Sequence, residues 1–274
     1  MSYVQRWRQH RDSYRPAGEP IDPRLYGVEP IDDDATAKAF VVKHHYSARY
    51  PAARARVGLY RHRRHQPTEL VGVAVFGVQW GKVLRRWCGE AEAVELARFV
   101  LLDDVPANGE TWFLARAFAL LPSLLGDTRA VLAYSDPVPR RSQDGSVVMP
   151  GHYGTIYQAH NARYCGRSRA MPFHVAANGT EIHKRLLDKV RREEQGYDYA
   201  YQRLLDCGAP RRRRGEGGHE YVRRALEVGP FRACRHPGKH AYVWAVGDSR
   251  RATRRALPCA PLAYPKPPRQ LALI

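Results

Sequence analysis

Leu70-Val-Gly-Val-Ala-Val-Phe-Gly-Val78 is the stretch on which the fold turns. It is a short, uncharged, apolar run and reads as a strand. Val57 to Tyr60 precedes it across the charged segment around His65-Gln66-Pro67, which makes a hairpin, and Val94 to Leu102 follows as the third strand of a meander. Further upstream, Leu25 to Ile31 reads as a first strand. Asp34 then caps a helix whose apolar face is Ala37, Phe40 and Val41, running to about His45, and Tyr50-Pro51 forbids its continuation. Downstream, Pro106-Ala-Asn-Gly-Glu110 turns into a helix over Thr111 to Leu125, with Phe113, Ala117, Leu120, Leu121 and Leu124 at helical spacing. Ala130 to Tyr134 is a buried strand ending at Ser135-Asp136-Pro137. A short helix opens at Gly154, a charged amphipathic helix covers Glu181 to Glu194, and Tyr242 to Val246 is a late strand.

The chain has 274 residues, 44% of them hydrophobic, enough for one sizeable α/β domain with extensions or for two small ones. Its charge is unbalanced: 45 Lys and Arg against 27 Asp and Glu give +18, with a pI near 10.0. Such an excess costs self-repulsion in a compact state and points to a polyanionic partner, nucleic acid above all. No stretch has the ~20 apolar residues of a membrane span, and Met1 to Pro20 lacks an apolar signal core. Cys88, Cys165, Cys207, Cys234 and Cys259 are scattered without a C-x-x-C pair, so free thiols in the cytoplasm are expected rather than a disulfide framework.

From Cys207 to Ile274 fifteen basic residues face four acids, including the run Arg211 to Arg214. The expected organisation is an N-terminal basic arm over 1–20 and a catalytic domain over 21–249 with a helical insertion near 180–235. A basic, proline-rich, irregular tail follows over 250–274.

Several chemistries are excluded by missing signatures. There is no G-x-x-x-x-G-K-[ST] phosphate loop and no H-x-E with P-C-x-x-C, so ATP hydrolysis and zinc deamination do not fit. Tyr134-Ser-Asp-Pro137 lacks the second proline and the aromatic of an adenine methyltransferase motif. Three clusters remain. His44-His45-Tyr46-Ser47, at a helix end, offers metal ligands or acid–base groups, or simply imidazoles that meet the helix dipole. Asp136, at the carboxyl end of a buried strand, is either an active-site acid or part of an Asp-Pro turn. Gly151-His-Tyr-Gly-Thr-Ile-Tyr157-Gln-Ala-His-Asn161 has the rings and amides of a base pocket, or is a glycine loop entering a helix with Ile156 and Tyr157 as core. Arg98 is a charge inside an apolar strand and needs a partner or a phosphate.

Strand, helix, three antiparallel strands, helix, strand, helix, strand is the order of the GNAT acyltransferase fold. The expected class is therefore α/β of the α+β type, with a mixed, mostly antiparallel central sheet flanked by helices and a basic C-terminal extension. His44-His-Tyr-Ser-Ala-Arg-Tyr-Pro51, Leu70 to Gly77, Glu95-Leu-Ala-Arg-Phe-Val-Leu101, Tyr134 to Pro137 and Gly154-Thr-Ile-Tyr-Gln-Ala159 together resemble the Mom family of phage DNA-modification proteins. The resemblance covers about Ala35 to Arg169, with a weaker stretch over Arg235 to Trp244. It implies a GNAT-like enzyme that converts adenine in double-stranded DNA to N6-carbamoylmethyl-adenine and shields phage DNA from restriction. It also implies a bound iron, Fe(II). Catalytic or metal-binding positions carried over are His45, Tyr46, Asp136 and Tyr157, with Arg98 in support.

Acyl-CoA enzymes of this fold bind pyrophosphate on a glycine-rich turn. Here that turn is Asp103-Asp-Val-Pro-Ala-Asn-Gly109, whose acids oppose CoA, so acetyl-CoA is the less favoured donor. The carbamoylmethyl group has the atoms of one glycine residue, which makes an activated glycine such as glycyl-tRNA the expected donor and tRNA a possible second partner. Two rivals stand beside this reading. A non-catalytic DNA-binding protein would use the charge alone, and a plain N-acetyltransferase would bind CoA.

Overall fold

The computed structural model describes residues 3–8, 11–16, 18–79, 81–142 and 144–266. In chain order the strands are β1 (Tyr3–Arg8), β2 (Arg11–Pro16), β3 (Tyr26–Pro30), β4 (Ala53–Arg61), β5 (Glu69–Gly77), β6 (Ala93–Leu101) and β7 (Ala130–Ser135), followed by β8 (Arg140–Arg141), β9 (Val147–Met149), β10 (Arg163–Arg167), β11 (Met171–Ala176), β12 (Glu181–Ile182), β13 (Phe231–His236) and β14 (His240–Ala245). The helices are α1 (Asp34–His44), α2 (Gly81–Cys88), α3 (Gly109–Leu125), α4 (Thr155–Ala159), α5 (Lys184–Arg192), α6 (Tyr197–Asp206), α7 (Gly218–Val228) and α8 (Arg250–Ala256). The chain divides into two units: Met1–Pro137, Gly151–Ser168 and Lys239–Ile274 form the first, and Val138–Pro150 with Arg169–Gly238 the second.

The first unit is built on a seven-stranded sheet in the order β10-β14-β7-β6-β5-β4-β3. Every pair is antiparallel except β6–β7. This is the mixed, mostly antiparallel sheet expected from the GNAT-like order. The apolar run Leu70 to Val78 forms β5, an interior strand between β6 and β4, and Val71, Val73, Ala74, Val75 and Phe76 are wholly buried. Alternate residues of a strand face opposite sides, so both faces must be covered. Val73 and Val75 pack on α1 through Ala37, Phe40 and Val41, whereas Val71, Ala74 and Phe76 join the cluster of Phe113, Leu114, Ala117 and Leu121 from α3. Each of the valines, leucines and phenylalanines among them contributes roughly 1.5–3 kcal/mol through removal from water.

Several local expectations change. Asp33, not Asp34, caps α1: its carboxylate accepts the Thr36 N–H at 2.7 Å, while Asp34 takes Tyr50 Oη and Arg56 Nε, each at 2.7 Å. The helix ends at His44 with His45 as its C-cap, as expected. The expected helix over Glu181 to Glu194 begins only at Lys184, because Glu181–Ile182 pairs with β11. The start of the expected irregular tail is α8, and residues 267–274 of that tail lie outside the described residues. Within the N-terminal arm, β1 and β2 pair as an antiparallel hairpin. Cys165 and Cys259 are joined as a disulfide with Cα atoms 5.4 Å apart, against the expectation of five free thiols; Cys88, Cys207 and Cys234 remain free. Cys259 follows Cys165 by 94 positions, so spacing could not reveal the pair. Among the described residues no helix is long and apolar enough to cross a membrane.

The second unit has its own core. Ile182, Leu187, Val190, Leu204, Tyr221 and Val222 are buried between the sheet β12-β11-β13 and helices α5, α6 and α7. Gly218 lets α7 approach α5, since a Cβ there would run into the Val190 and Arg191 carbonyls. The chain leaves the first unit after Pro137 and again after Ser168. Each departure is closed at its base, by His152 N–H on the Asp136 carbonyl (2.6 Å) and by Ser168 N–H on the Lys239 carbonyl (2.8 Å).

Candidate active site

The only parallel pair of the sheet is short. Ala93, Val94 and Glu95 lie beside Ala130, Val131 and Leu132, and beyond them β6 and β7 part. Strand β6 stays with β5, with a register shift that places Ala97 as the extra residue between Leu96 and Arg98. Strand β7 stays with β14 through Ser135, opposite His240. The strands thus open into a wedge flanked by Glu95 and Arg98 on one side and Asp136 on the other. Polar side chains tolerated beside such an opening would be costly in the closed part of the sheet.

Arg98 anchors the first side. Its Nε donates to the Arg49 carbonyl at 2.8 Å and Nη1 to its own neighbour Ala97 at 2.6 Å. Those bonds leave net positive charge within electrostatic reach of Tyr46, Glu95 and Tyr157. Burial draws the guanidinium below its ordinary value, yet arginine remains charged at any neutral pH. Glu95 accepts Gln79 Nε2 at 2.5 Å, and burial lifts its carboxyl above the ordinary range although Lys239, Gln79 and Arg98 oppose the rise.

The end of α1 supplies His45 and Tyr46, whose rings stand 4.2 Å apart. The Ser47 N–H donates to His45 Nδ1 at 3.1 Å, with Ser47 Oγ 2.9 Å from the same nitrogen. Nδ1 is therefore an acceptor and the neutral ring carries its proton on Nε2. Burial first, then the neighbouring Arg98 and His152, hold this imidazole well below its ordinary pKa. Tyr46 in turn meets the edge of His152, with ring centroids 6.1 Å apart.

The second side comes from the segment after Gly151. His152 lies 6.3 Å from the Tyr157 ring and within electrostatic reach of Asp136; burial pulls it down to about 4. Tyr157 is fixed by the rings of Tyr242 (5.5 Å) and Trp244 (5.4 Å), and burial raises its phenol, which stays protonated. Gly154 sets this geometry. Its backbone is left-handed (φ 68°), and a Cβ there would come within 2.8 Å of Tyr242 and 2.9 Å of Tyr157. Tyr242 cannot swing away: it is wholly buried, donates to the Tyr153 carbonyl at 2.5 Å and accepts from Gln158 at 3.1 Å.

All five sequence candidates, His45, Tyr46, Arg98, Asp136 and Tyr157, thus belong to one cluster. Asp136 is 6% exposed, at the end of β7 as read from the sequence. Glu95, Gln79, His152 and Lys239 are additions. Glu95 carried the same signal as Arg98, a charge within an apolar strand, and His152 stands inside the polar Gly151–Asn161 stretch.

The chain belongs to the Mom protein family. The family match runs over residues 26–266, well beyond the stretches that first suggested it. Membership in Mom implies phage DNA modification by a transferase with DNA as substrate. None of the curated proteins matches this chain. Among solved structures, a tandem GNAT protein from the clavulanic acid biosynthesis pathway, without AcCoA, is similar at 10% identity and a TM-score of 0.41. The match covers 82% of this chain and 99% of that one, a likeness too low to argue from.

Two features of this Mom protein bear on cofactors. Among the described residues no three His, Cys, Asp or Glu side chains group as metal ligands. Around the expected ligand positions, His45 accepts the Ser47 N–H at Nδ1, and Arg98 sets a cation within electrostatic reach of Tyr46 and Tyr157. The turn from Leu102 to Asn108 is also already engaged. Arg6 donates to Glu110 at 2.7 Å and to the carbonyls of Leu102, Asp103, Val105 and Pro106 at 2.6–3.1 Å. Arg15 bonds the Asp103 carbonyl as well. A pyrophosphate needs converging N–H donors. This turn instead converges carbonyls on a guanidinium.

Proposed function

We propose that this protein converts adenine in double-stranded DNA to N6-carbamoylmethyl-adenine, and so protects phage DNA from restriction. The observation that carries the reading is the meeting of Arg98, Asp136, His152 and Tyr157 with Tyr46 and His45 where β6 and β7 part. Family membership supplies DNA as the substrate.

The adenine amine is held in the duplex by pairing and stacking, so the base is extruded at a cost of a few kcal/mol. Tyr46, His152 and Tyr157 offer ring faces and edges to receive it. Asp136 takes a proton from N6 as N6 attacks the carbonyl of an activated glycine. Arg98, with the protonated Tyr157 phenol, stabilises the oxygen on which negative charge develops. The alcohol leaving group departs with that proton and N6-glycyl-adenine remains. The freed glycine amine then adds to ring C6, closing a five-membered ring. Cleavage of the bond from C6 to the original nitrogen leaves the carbamoylmethyl amine. The two nitrogens exchange, and adenine plus glycyl ester balances product plus alcohol. No step passes through a metal. Glycyl-tRNA supplies such an ester, and the engaged turn at Leu102 to Asn108 argues against acetyl-CoA.

Nucleosides from plasmid DNA of cells expressing the protein, fed glycine labelled with ¹⁵N, test both halves. A new adenine nucleoside heavier by one glycine residue supports the modification. The label should reside on the nitrogen attached to C6. Label in the terminal amide, or absent, sinks the exchange mechanism, and unmodified adenine sinks the enzyme. The rival DNA-binding reading then takes over, in which Asp136→Ala has no phenotype.

A further inference from the structure

We propose that the second unit carries a binding site for the phosphate backbone of DNA, in the cavity between the β8–β9 hairpin and the edge strand β13. The proposal rests on the reading above only for the identity of the polyanion. The cavity measures about 610 Å³ and is walled by Arg140, Arg141, Arg232 and Arg235, with Phe173 and Val175 among its apolar lining. Arg232 lies opposite Val175 in the β11–β13 ladder, so it shares a sheet face with the apolar lining.

The four arginines are not equivalent. Arg140 is buried and its charge is absorbed by Glu181, which also meets His183 Nε2 at 3.0 Å. It forms a wall. Arg141, Arg232 and Arg235 are exposed, and among the described residues no carboxylate pairs with any of them. Asp144, the acid of the same hairpin, is tied into its turn by Ser142 Oγ and the Ser146 N–H. Three guanidiniums without a carboxylate partner around one concavity focus positive potential; Arg141 spends Nη1 on the Gly145 carbonyl at 2.9 Å and keeps its other donors, and a guanidinium fork suits phosphate.

A polymer fits better than a small anion. Arg232 and Arg235 both line the cavity and stand three residues, about 10 Å, apart along β13. They are placed to hold successive phosphates of one backbone rather than a single group. Charges also protect a bare sheet edge from pairing with other chains. That role requires neither a cavity nor Arg141 on the facing hairpin.

The test compares the full chain with Arg141→Ala/Arg232→Ala/Arg235→Ala by fluorescence anisotropy on a labelled 30-base-pair duplex, as a function of salt. The expected result is at least a tenfold loss of affinity at about 0.1 M salt and a salt slope shallower by about three. Arg192→Ala/Arg214→Ala/Arg223→Ala removes equal charge elsewhere in the unit and should cost much less. Equal losses in the two triples overturn the site, as does unchanged affinity, with or without new self-association. A loss confined to a tRNA probe also overturns it, since the occupant would then be RNA. Should the triple fail to fold, Arg235→Glu alone must weaken duplex binding. A wild-type protein that binds DNA through the cavity but leaves adenine unmodified would end the enzymatic reading and leave this one standing. Modified DNA with cavity-independent binding would do the reverse.

Discussion

Gly154→Ala should be among the most damaging single-methyl changes in the first unit, and its cost can be built from two parts. Alanine in the left-handed region loses about 1–2 kcal/mol relative to glycine. The added Cβ would also stand 2.8 Å from Tyr242 Cε2 and 2.9 Å from Tyr157 Cδ2, closer than packed atoms tolerate. Both rings are held, Tyr242 by its two hydrogen bonds and Tyr157 by Tyr242 and Trp244. Overpacking of this kind costs about 1–3 kcal/mol. The sum is about 2–5 kcal/mol, which for a unit of this size lowers Tm by roughly 5–15 °C. Calorimetry reads the loss. Assayed well below that Tm, the yield of modified base should also fall about 100-fold, because a shift of about 1 Å in Tyr157 misplaces the acceptor. A loss under about 1 kcal/mol with normal modification would refute the reasoning, since the rings would then move aside freely.

Tyr157→Phe should leave fold and duplex affinity intact and abolish the modified nucleoside, read by anisotropy and mass spectrometry in parallel. Arg6→Ala strips Glu110, 3% exposed, of its guanidinium and should cost about 3–5 kcal/mol in urea unfolding, with Arg6→Ala/Glu110→Met recovering a large part. Burial already holds the Glu110 carboxyl above the ordinary range against the pull of Arg6. The destabilisation from the unpaired Glu110 is therefore smallest below about pH 4 and grows as pH rises, relative to the unmutated protein at each pH. Glu216 has the opposite sign: Arg224, with help from the Arg213 N–H, pulls it down to about 2. Its contribution is complete above the ordinary carboxylate value and is lost as pH falls from about 4.5 towards 2. Glu216→Gln should remove that acid limb from a circular-dichroism titration. Denatured oxidised protein should show three reactive thiols, rising to five after reduction.

The strands and helices of the first unit were legible where one face, or both, is continuously apolar. Leu70 to Val78 matches β5 to within a residue at each end, and Ala130 to Tyr134 matches β7. Helix α3 announces itself through Phe113, Ala117 and Leu121. The second unit's sheet was not legible. Pro172 interrupts the pattern of β11, and Phe231-Arg-Ala-Cys-Arg-His236 puts charge on both faces of β13, which only an edge strand permits. For the site, residue types at the ends of α1 and β7 could be read directly. The engagement of the Leu102–Asn108 turn could not, because it depends on Arg6, about a hundred residues away. Glu95 was hidden for a related reason: only the parting of β6 and β7 makes room for a carboxylate there.

The two pinches at Asp136–His152 and Ser168–Lys239 have a modular consequence. The second unit hangs from the first by two loops whose stems are already stitched, so its 13-residue and 70-residue excursions are interchangeable parts from the standpoint of the sheet. Two tight turns, one joining Pro137 to Gly151 and one joining Ser168 to Lys239, should preserve the seven strands and yield a minimal scaffold. Relatives could lengthen, trim or replace either excursion without redesigning the strands that hold Asp136 and Arg98.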